Sequence, residues 1–234
     1  MAANVQYTRI VGNVVELVTE VREKAIDYDD FIKAVTEQEG IDTGILPSGL
    51  IYFKRYATND SCKKKRCLYI FEQSPRKVAI TYKHASAGSS DVPQQRLKIS
   101  LPFVYIAIPT LEDIILQDDI RVFCSTTKIK NEDDSIFVIP LPNIYGSGHG
   151  NVCVGDIKVG EQVTFSERVE ATMRAIFHSE FNTDLSVNYP EEIGSMKKWD
   201  AETKKNPIFG LTVNYANHDL KTLKGVIDLY EQRS

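Results

Sequence analysis

The sequence predicts an α+β fold, an antiparallel meander of four or five strands with helices packed on one face. Two observations carry this. Between residues 41 and 127, β-branched and aromatic runs alternate with polar turns, at 50–56, 68–72, 77–82, 97–108 and 120–127. Consecutive strands joined by short turns pair antiparallel. Beyond Thr164 the apolar spacing becomes helical, first in Phe165, Val169, Met173, Ile176 and Phe177, then in Leu220, Leu223, Val226, Ile227 and Tyr230. A chain of 234 residues is ample for a buried core.

In order, residues 5–21 are valine-rich, and Val14, Val15, Leu17 and Val18 read as one strand or a short hairpin. Asp27 or Asp29 can cap a helix through about residue 38, with Phe31, Ile32 and Val35 as its apolar stripe and Gly40 as its stop. Residues 1–40 thus form an N-terminal βα extension, followed by a core at 41–185 and a C-terminal segment at 186–234. Residues 83–95, with Ala-Ser-Ala-Gly-Ser-Ser, read as a solvated connection. Pro102 interrupts the run at 97–108 and predicts a sheet edge or a bulge. Thr164 and Glu167 form a capping box for a helix to about residue 180. Residues 185–209 are polar and irregular, and their lone Trp199 reads as a lid over the core in preference to an exposed anchor for a partner. A last helix starts at about residue 219.

The net charge of −4 offers no basic stripe for nucleic acid. No apolar run approaches the roughly 20 residues a spanning helix needs. The first residues lack a charged region followed by an apolar core. The expectation is a cytoplasmic protein with no membrane or nucleic-acid partner. Cys62, Cys67, Cys124 and Cys153 are too sparse for a disulfide scaffold and read as thiols.

Residues 140–156, Pro-Leu-Pro-Asn-Ile-Tyr-Gly-Ser-Gly-His-Gly-Asn-Val-Cys-Val-Gly-Asp, depart from this ordinary texture. The apolar run 136–139 delivers them. Pro140 and Pro142 remove backbone donors, so strand pairing should end at about Pro140. Gly146, Gly148 and Gly150 permit positive φ and close approach of another backbone. Cys153 follows between two valines, a thiol on a constrained loop. Asn143 can bond nearby backbone or point an amide into a site.

Pro142-Asn143-Ile144-Tyr145, the glycine turn and Val152-Cys153 resemble the active-site approach of ubiquitin-conjugating enzymes. There a His-Pro-Asn tripeptide and a short turn precede a strand-like Ile/Val-Cys that carries a thioester. The chain most resembles the prokaryotic ubiquitin-conjugating-like proteins of family D, strongly over 140–156, more faintly over 41–185, and not in the last stretch. It departs at Leu141, where the tripeptide has histidine; His149 lies nearby but within the glycine turn.

The resemblance implies a ubiquitin-conjugating meander, no metal and no organic cofactor. Cys153 would receive a ubiquitin-like modifier from an adenylating (activating) enzyme and pass it to an amine. A deconjugating peptidase of the same system would be a further partner. Asn143 would donate to the oxyanion, the glycines Gly146, Gly148 and Gly150 would admit the modifier's narrow tail, and Tyr145 and His149 would shape the site. The altered tripeptide leaves open a non-catalytic module that binds a ubiquitin-like protein or its conjugation machinery.

Other readings of the same residues remain. Cys153 with His149, His178 or His218 could be a hydrolase pair. Cys62 and Cys67, with Cys124 or His84, could surround zinc, but no second close Cys or His pair follows. The glycine turn lacks the Lys-Ser/Thr ending of a phosphate loop and the helix of a dinucleotide fingerprint, which removes nucleotide binding.

Overall fold

The computed structural model describes residues 3–11, 14–22, 49–56, 65–84, 92–112, 114–145, 149–153, 164–178, 180–185 and 187–232. The chain separates into two compact units, 1–43 and 44–234. In the first, β1 (Ala3–Val11) and β2 (Val14–Arg22) form an antiparallel hairpin in continuous register from Ala3 opposite Arg22 to Val11 opposite Val14. Of the two readings of this region, the hairpin holds. The helix expected after Asp27 or Asp29 lies outside the described residues.

In the second unit the five expected runs appear as six strands, because the run at 97–108 divides in two: β3 (Leu50–Tyr56), β4 (Arg66–Gln73), β5 (Arg76–Tyr82), β6 (Gln95–Leu101), β7 (Phe103–Leu111) and β9 (Arg121–Ser125), with β8 (Ile114–Ile115) against β7. β4 pairs with β7 and β5 with β6 in one unbroken register, since Gln73 faces Val104 and Arg76 faces Leu101. These four strands are one long ribbon, broken on one side at Ser74-Pro75 and on the other at Pro102. Neither proline has an N–H for the ladder, so the ribbon bends there into two sheets.

The larger sheet continues through β9 to β10 (Ser135–Phe137) and β12 (Asn217–Thr222), in the order β12-β10-β9-β7-β4-β3. The smaller is β11-β5-β6, in which β11 (Glu180–Phe181) runs parallel to β5.

The helices are α1 (Phe165–His178), α2 (Met196–Lys205) and α3 (Leu223–Glu231). α1 opens on the expected capping box: Thr164 N donates to Glu167 Oε2 (2.8 Å) and Glu167 N to Thr164 Oγ1 (3.3 Å).

The α+β class holds, but the helices cover both faces of the large sheet and not one. The central strands are apolar on both sides. Tyr69, Phe71, Ile106 and Val122 share a core with Val169 and Ile176 of α1 and Trp199 of α2. The alternate residues Leu68, Ile70, Tyr105 and Phe123 share another with Leu223, Val226 and Ile227 of α3. A sheet apolar on both faces needs a cover on each.

Two further corrections concern the C-terminal segment. Residues 217–222 are a strand, because Asn217 and Thr222 pair with Phe137 and Ser135 of β10. The helix begins only after Thr222, whose hydroxyl accepts from Gly225 N (3.2 Å). Residues 196–205, expected to be irregular, are helical, with Ser195 Oγ accepting from Lys198 N (3.2 Å).

Trp199 is fully buried, as a lid would be, and its Nε1 donates to Ser100 O (3.1 Å). α2 closes the open edge of β6: Lys98 N donates to Asp200 Oδ1 (2.7 Å) and Ser100 N to Thr203 Oγ1 (2.8 Å). Gly210 completes the cover, since a Cβ there would lie 2.4 Å from Ser100 O.

Edge closure through side chains predicts that Thr203→Val, which preserves volume and removes the acceptor, destabilises the protein by about 1 to 3 kcal/mol by leaving a buried amide unpaired. Denaturant unfolding measures this. A loss below about 0.5 kcal/mol would mean that the Ser100 amide has another acceptor.

Candidate functional site

After β10 the chain keeps one more ladder-like bond, from Val138 N to Ala216 O (2.9 Å). Pairing then stops ahead of Pro140, as the two prolines require. Ile139, Leu141 and Ile144 turn into the core, and Leu141 is 1% exposed. Ile144 N donates to Leu141 O (3.0 Å), which tightens the turn.

Asn143 and Tyr145 then meet the returning segment. Cys153 N donates to Asn143 O (2.7 Å), Tyr145 N to Asn151 O (2.9 Å), and Ile144 bridges Val152. On its other side that segment pairs with the start of β9. Val122 N donates to Gly150 O (2.8 Å), Val152 N to Ile120 O (3.2 Å), and Asn151 faces Arg121. Residues 150–153 are therefore held from both sides.

The alternation of an extended chain does the rest. Val152 is buried and Cys153 is exposed, so the thiol stands away from the core. Cys67 and Cys124 are buried thiols, and burial pushes the Cys124 thiol well up. Gly150 is fixed by both conformation and space. Its φ is +69°, and a Cβ would lie 2.5 Å from Val122 O and 3.0 Å from His218 Nε2.

Asn143 is 7% exposed, and its Nδ2 donates to Ile176 O (2.8 Å). Ile176 lies in the last turn of α1, where carbonyls have no partner within the helix. The amide thus ties the Cys153 segment to the end of α1.

Tyr145 is 43% exposed beside this arm. His149 is also exposed, with Nε2 3.7 Å from Asp219 Oδ2. Gly146 and Gly148 lie outside the described residues, as does Cys62. Among the described residues no group of three or more His, Cys, Asp or Glu is placed to hold a metal.

Two residues that sequence reasoning left without a structural role complete the site. Arg121, 3% exposed, donates from Nη1 to His149 O (2.6 Å) and to Asn151 Oδ1 (2.9 Å). His218, considered only as a possible base, is 1% exposed on β12. Its Nδ1 accepts from Leu220 N (3.1 Å), so the neutral ring carries its proton on Nε2, on the side of Gly150 where a Cβ would stand. Burial, and then the charge of Arg121, lower its pKa to about 4.

Neither His149 nor His218 hydrogen-bonds to the thiol among the described residues; the one bond found at Cys153 is from its backbone N–H. This geometry gives the hydrolase pairing no support. A cleft of about 460 Å³ between the end of β5 and the start of α2, with Tyr82, Tyr189 and Lys197 on its walls, includes no residue of the Cys153 segment.

A family model described as prokaryotic E2 family D matches residues 27–221, well over half of the chain. Comparison with curated proteins and with solved structures found no match. Among the described residues no helix is long and apolar enough to cross a membrane.

His218 makes stability depend on pH. Its folded value of about 4 lies below the ordinary 6.5, so the unfolded chain binds the proton more readily. Stability is full above about pH 6.5 and falls as pH drops toward 4, by up to about 3 kcal/mol from this group. Denaturant unfolding across that range should give a steeper profile for the native protein than for His218→Gln. Parallel profiles would mean that His218 titrates normally in the fold.

Proposed function

The chain belongs to prokaryotic E2 family D, a family of ubiquitin-conjugating-like proteins, and on that premise we propose that Cys153 carries a ubiquitin-like modifier as a thioester. The modifier arrives from an activating (adenylating) enzyme and leaves on an amine. The observation that carries this reading is the exposed thiol directly after the buried Val152, on a segment pinned on both sides.

In the first step the Cys153 thiolate attacks the activated C-terminal carbonyl of the modifier. A C–S bond forms and the donor's leaving group departs. In the second an amine attacks the thioester carbonyl, an amide bond forms, the amine loses a proton and the Cys153 thiolate leaves. A thiolate is both a strong nucleophile and a good leaving group, so one difficult acyl transfer becomes two easier ones. Tyr145 and His149, exposed on the same arm, shape the approach of the modifier's tail.

Asn143 acts as a brace in this reading. Its carbonyl holds the Cys153 N–H and its amide holds α1. Donation to the oxyanion is the competing role for the same amide. The non-catalytic alternative draws on Leu141, which fills the tripeptide's histidine position with a buried apolar side chain.

Incubation with modifier, ATP and activating enzyme should give a reductant-sensitive adduct by intact mass, absent in Cys153→Ala. An adduct that persists in Cys153→Ala would defeat the assignment, and a folded native protein that never charges would favour the binding module. For Asn143→Ala, the brace role predicts that loading and discharge slow together, with a stability loss of about 1 to 3 kcal/mol. Discharge slowed roughly a hundred- to a thousandfold with normal loading would instead identify an oxyanion donor.

A further inference from the structure

We propose that Arg121 is a positioning residue of the Cys153 site, a buried clamp that fixes the segment carrying the thiol. The inference rests on the thioester reading for its consequence, and on geometry alone for the clamp.

Arg121 and Asn151 face each other between two ladder bonds, Val122 N to Gly150 O and Val152 N to Ile120 O. In an antiparallel pair this is the position where opposed side chains come closest. The guanidinium uses that proximity. One nitrogen, Nη1, reaches both the His149 carbonyl and the Asn151 side-chain oxygen. These residues flank Gly150, the position with no room for a side chain. Asn151 Nδ2 in turn donates to Asp118 O (3.2 Å), so the side chain spans from the clamp to the turn before β9.

Removing a guanidinium from water is costly, and its burial is sustained only when charge-assisted hydrogen bonds replace hydration. The neighbouring His218 is held neutral, so this imidazole does not compete as a second cation. Ladder bonds fix how far residues 150 and 152 lie from β9. The clamp adds anchors at 149 and 151, which the ladder to β9 does not hold. Cys153 follows two residues after Asn151 in an extended chain, so a displacement there passes directly to the sulfur. Acyl transfer requires the reacting atoms at about 3 to 3.5 Å and aligned, and a shift near 1 Å can cost a hundredfold in rate.

The test uses the full chain with Arg121→Ala, Arg121→Lys and Asn151→Ala. Three quantities are compared: Cys153 loading at saturating donor, Cys153 alkylation by iodoacetamide, and amide exchange at Val122, Val152 and Cys153 against the amides of β4 and β7. Arg121→Ala should load between about tenfold and a hundredfold more slowly, with an altered alkylation rate and faster exchange confined to the site amides. Free guanidinium ion should restore part of the loading in this variant and none in the native protein. Arg121→Lys, which keeps the charge without the planar fork, should fall between. Asn151→Ala, which removes one acceptor of the clamp, should show a smaller loss.

A folded Arg121→Ala that loads and exchanges like the native protein overturns the proposal, and so does a loss that follows only the unfolded fraction. Should Arg121→Ala not fold, the same measurements on Arg121→Lys and Asn151→Ala decide, native behaviour in both overturning the clamp. If the native protein does not load, the thioester reading fails, while exchange and alkylation still judge the clamp.

Discussion

Strands β4, β7 and β9 have apolar side chains on both faces, and this constraint organises the rest of the second unit. Each large side chain removed from water contributes about 1.5 to 3 kcal/mol, so neither face of these strands can be left wet. One face shares its core with α1 and α2 and the other with α3. Once both faces are covered, chemistry has to occur at an edge or an end of the sheet. The Cys153 segment lies against the first residues of β9, where the chain can still add a pairing partner.

The placement of the thiol follows from that edge. A free loop could present a cysteine anywhere, whereas a segment paired on two sides presents it in one direction. Val152 anchors the segment in the core, and the extended geometry then turns Cys153 outward. Gly150 makes the close pairing possible, because any side chain there would collide with the Val122 carbonyl. The glycine's freedom thus serves close packing against the protein's own sheet, a separate use from admitting a partner's tail.

Much of this was legible in the sequence because it is written locally. The runs CLYIF and VYIAI announce strands, Thr164 with Glu167 announces α1, and Pro102, read as a sheet edge or a bulge, is where β6 and β7 part. What was hidden depends on distant partners. α2 turns Asp200 and Thr203 inward to hold amides of β6, so a helix with a structural polar face reads as a surface loop. Residues 217–222 held the expected start of the last helix, yet their burial alternates in the first three positions and β10 pairs with them. Nothing in the sequence marks Arg121, because the acceptors that accompany its burial come from a chain that returns about thirty residues later. Cys153 is exposed, whereas Gly146 and Gly148 lie beyond the described residues.

Leu141 is the point at which the chain departs from the tripeptide of ubiquitin-conjugating enzymes, and its surroundings show what that departure does. The side chain sits in the main core with Ile139 and Ile144. An imidazole placed there would have to find hydrogen-bond partners in an apolar cluster or stand unsatisfied. The polar bracing of the loop comes instead from its two flanks, with Asn143 reaching Ile176 on one side and Arg121 reaching His149 and Asn151 on the other. With those contacts in place, leucine at 141 removes nothing the local architecture depends on. The exposed thiol keeps its fixed direction because apolar packing beneath the loop and polar clamps beside it constrain different degrees of freedom.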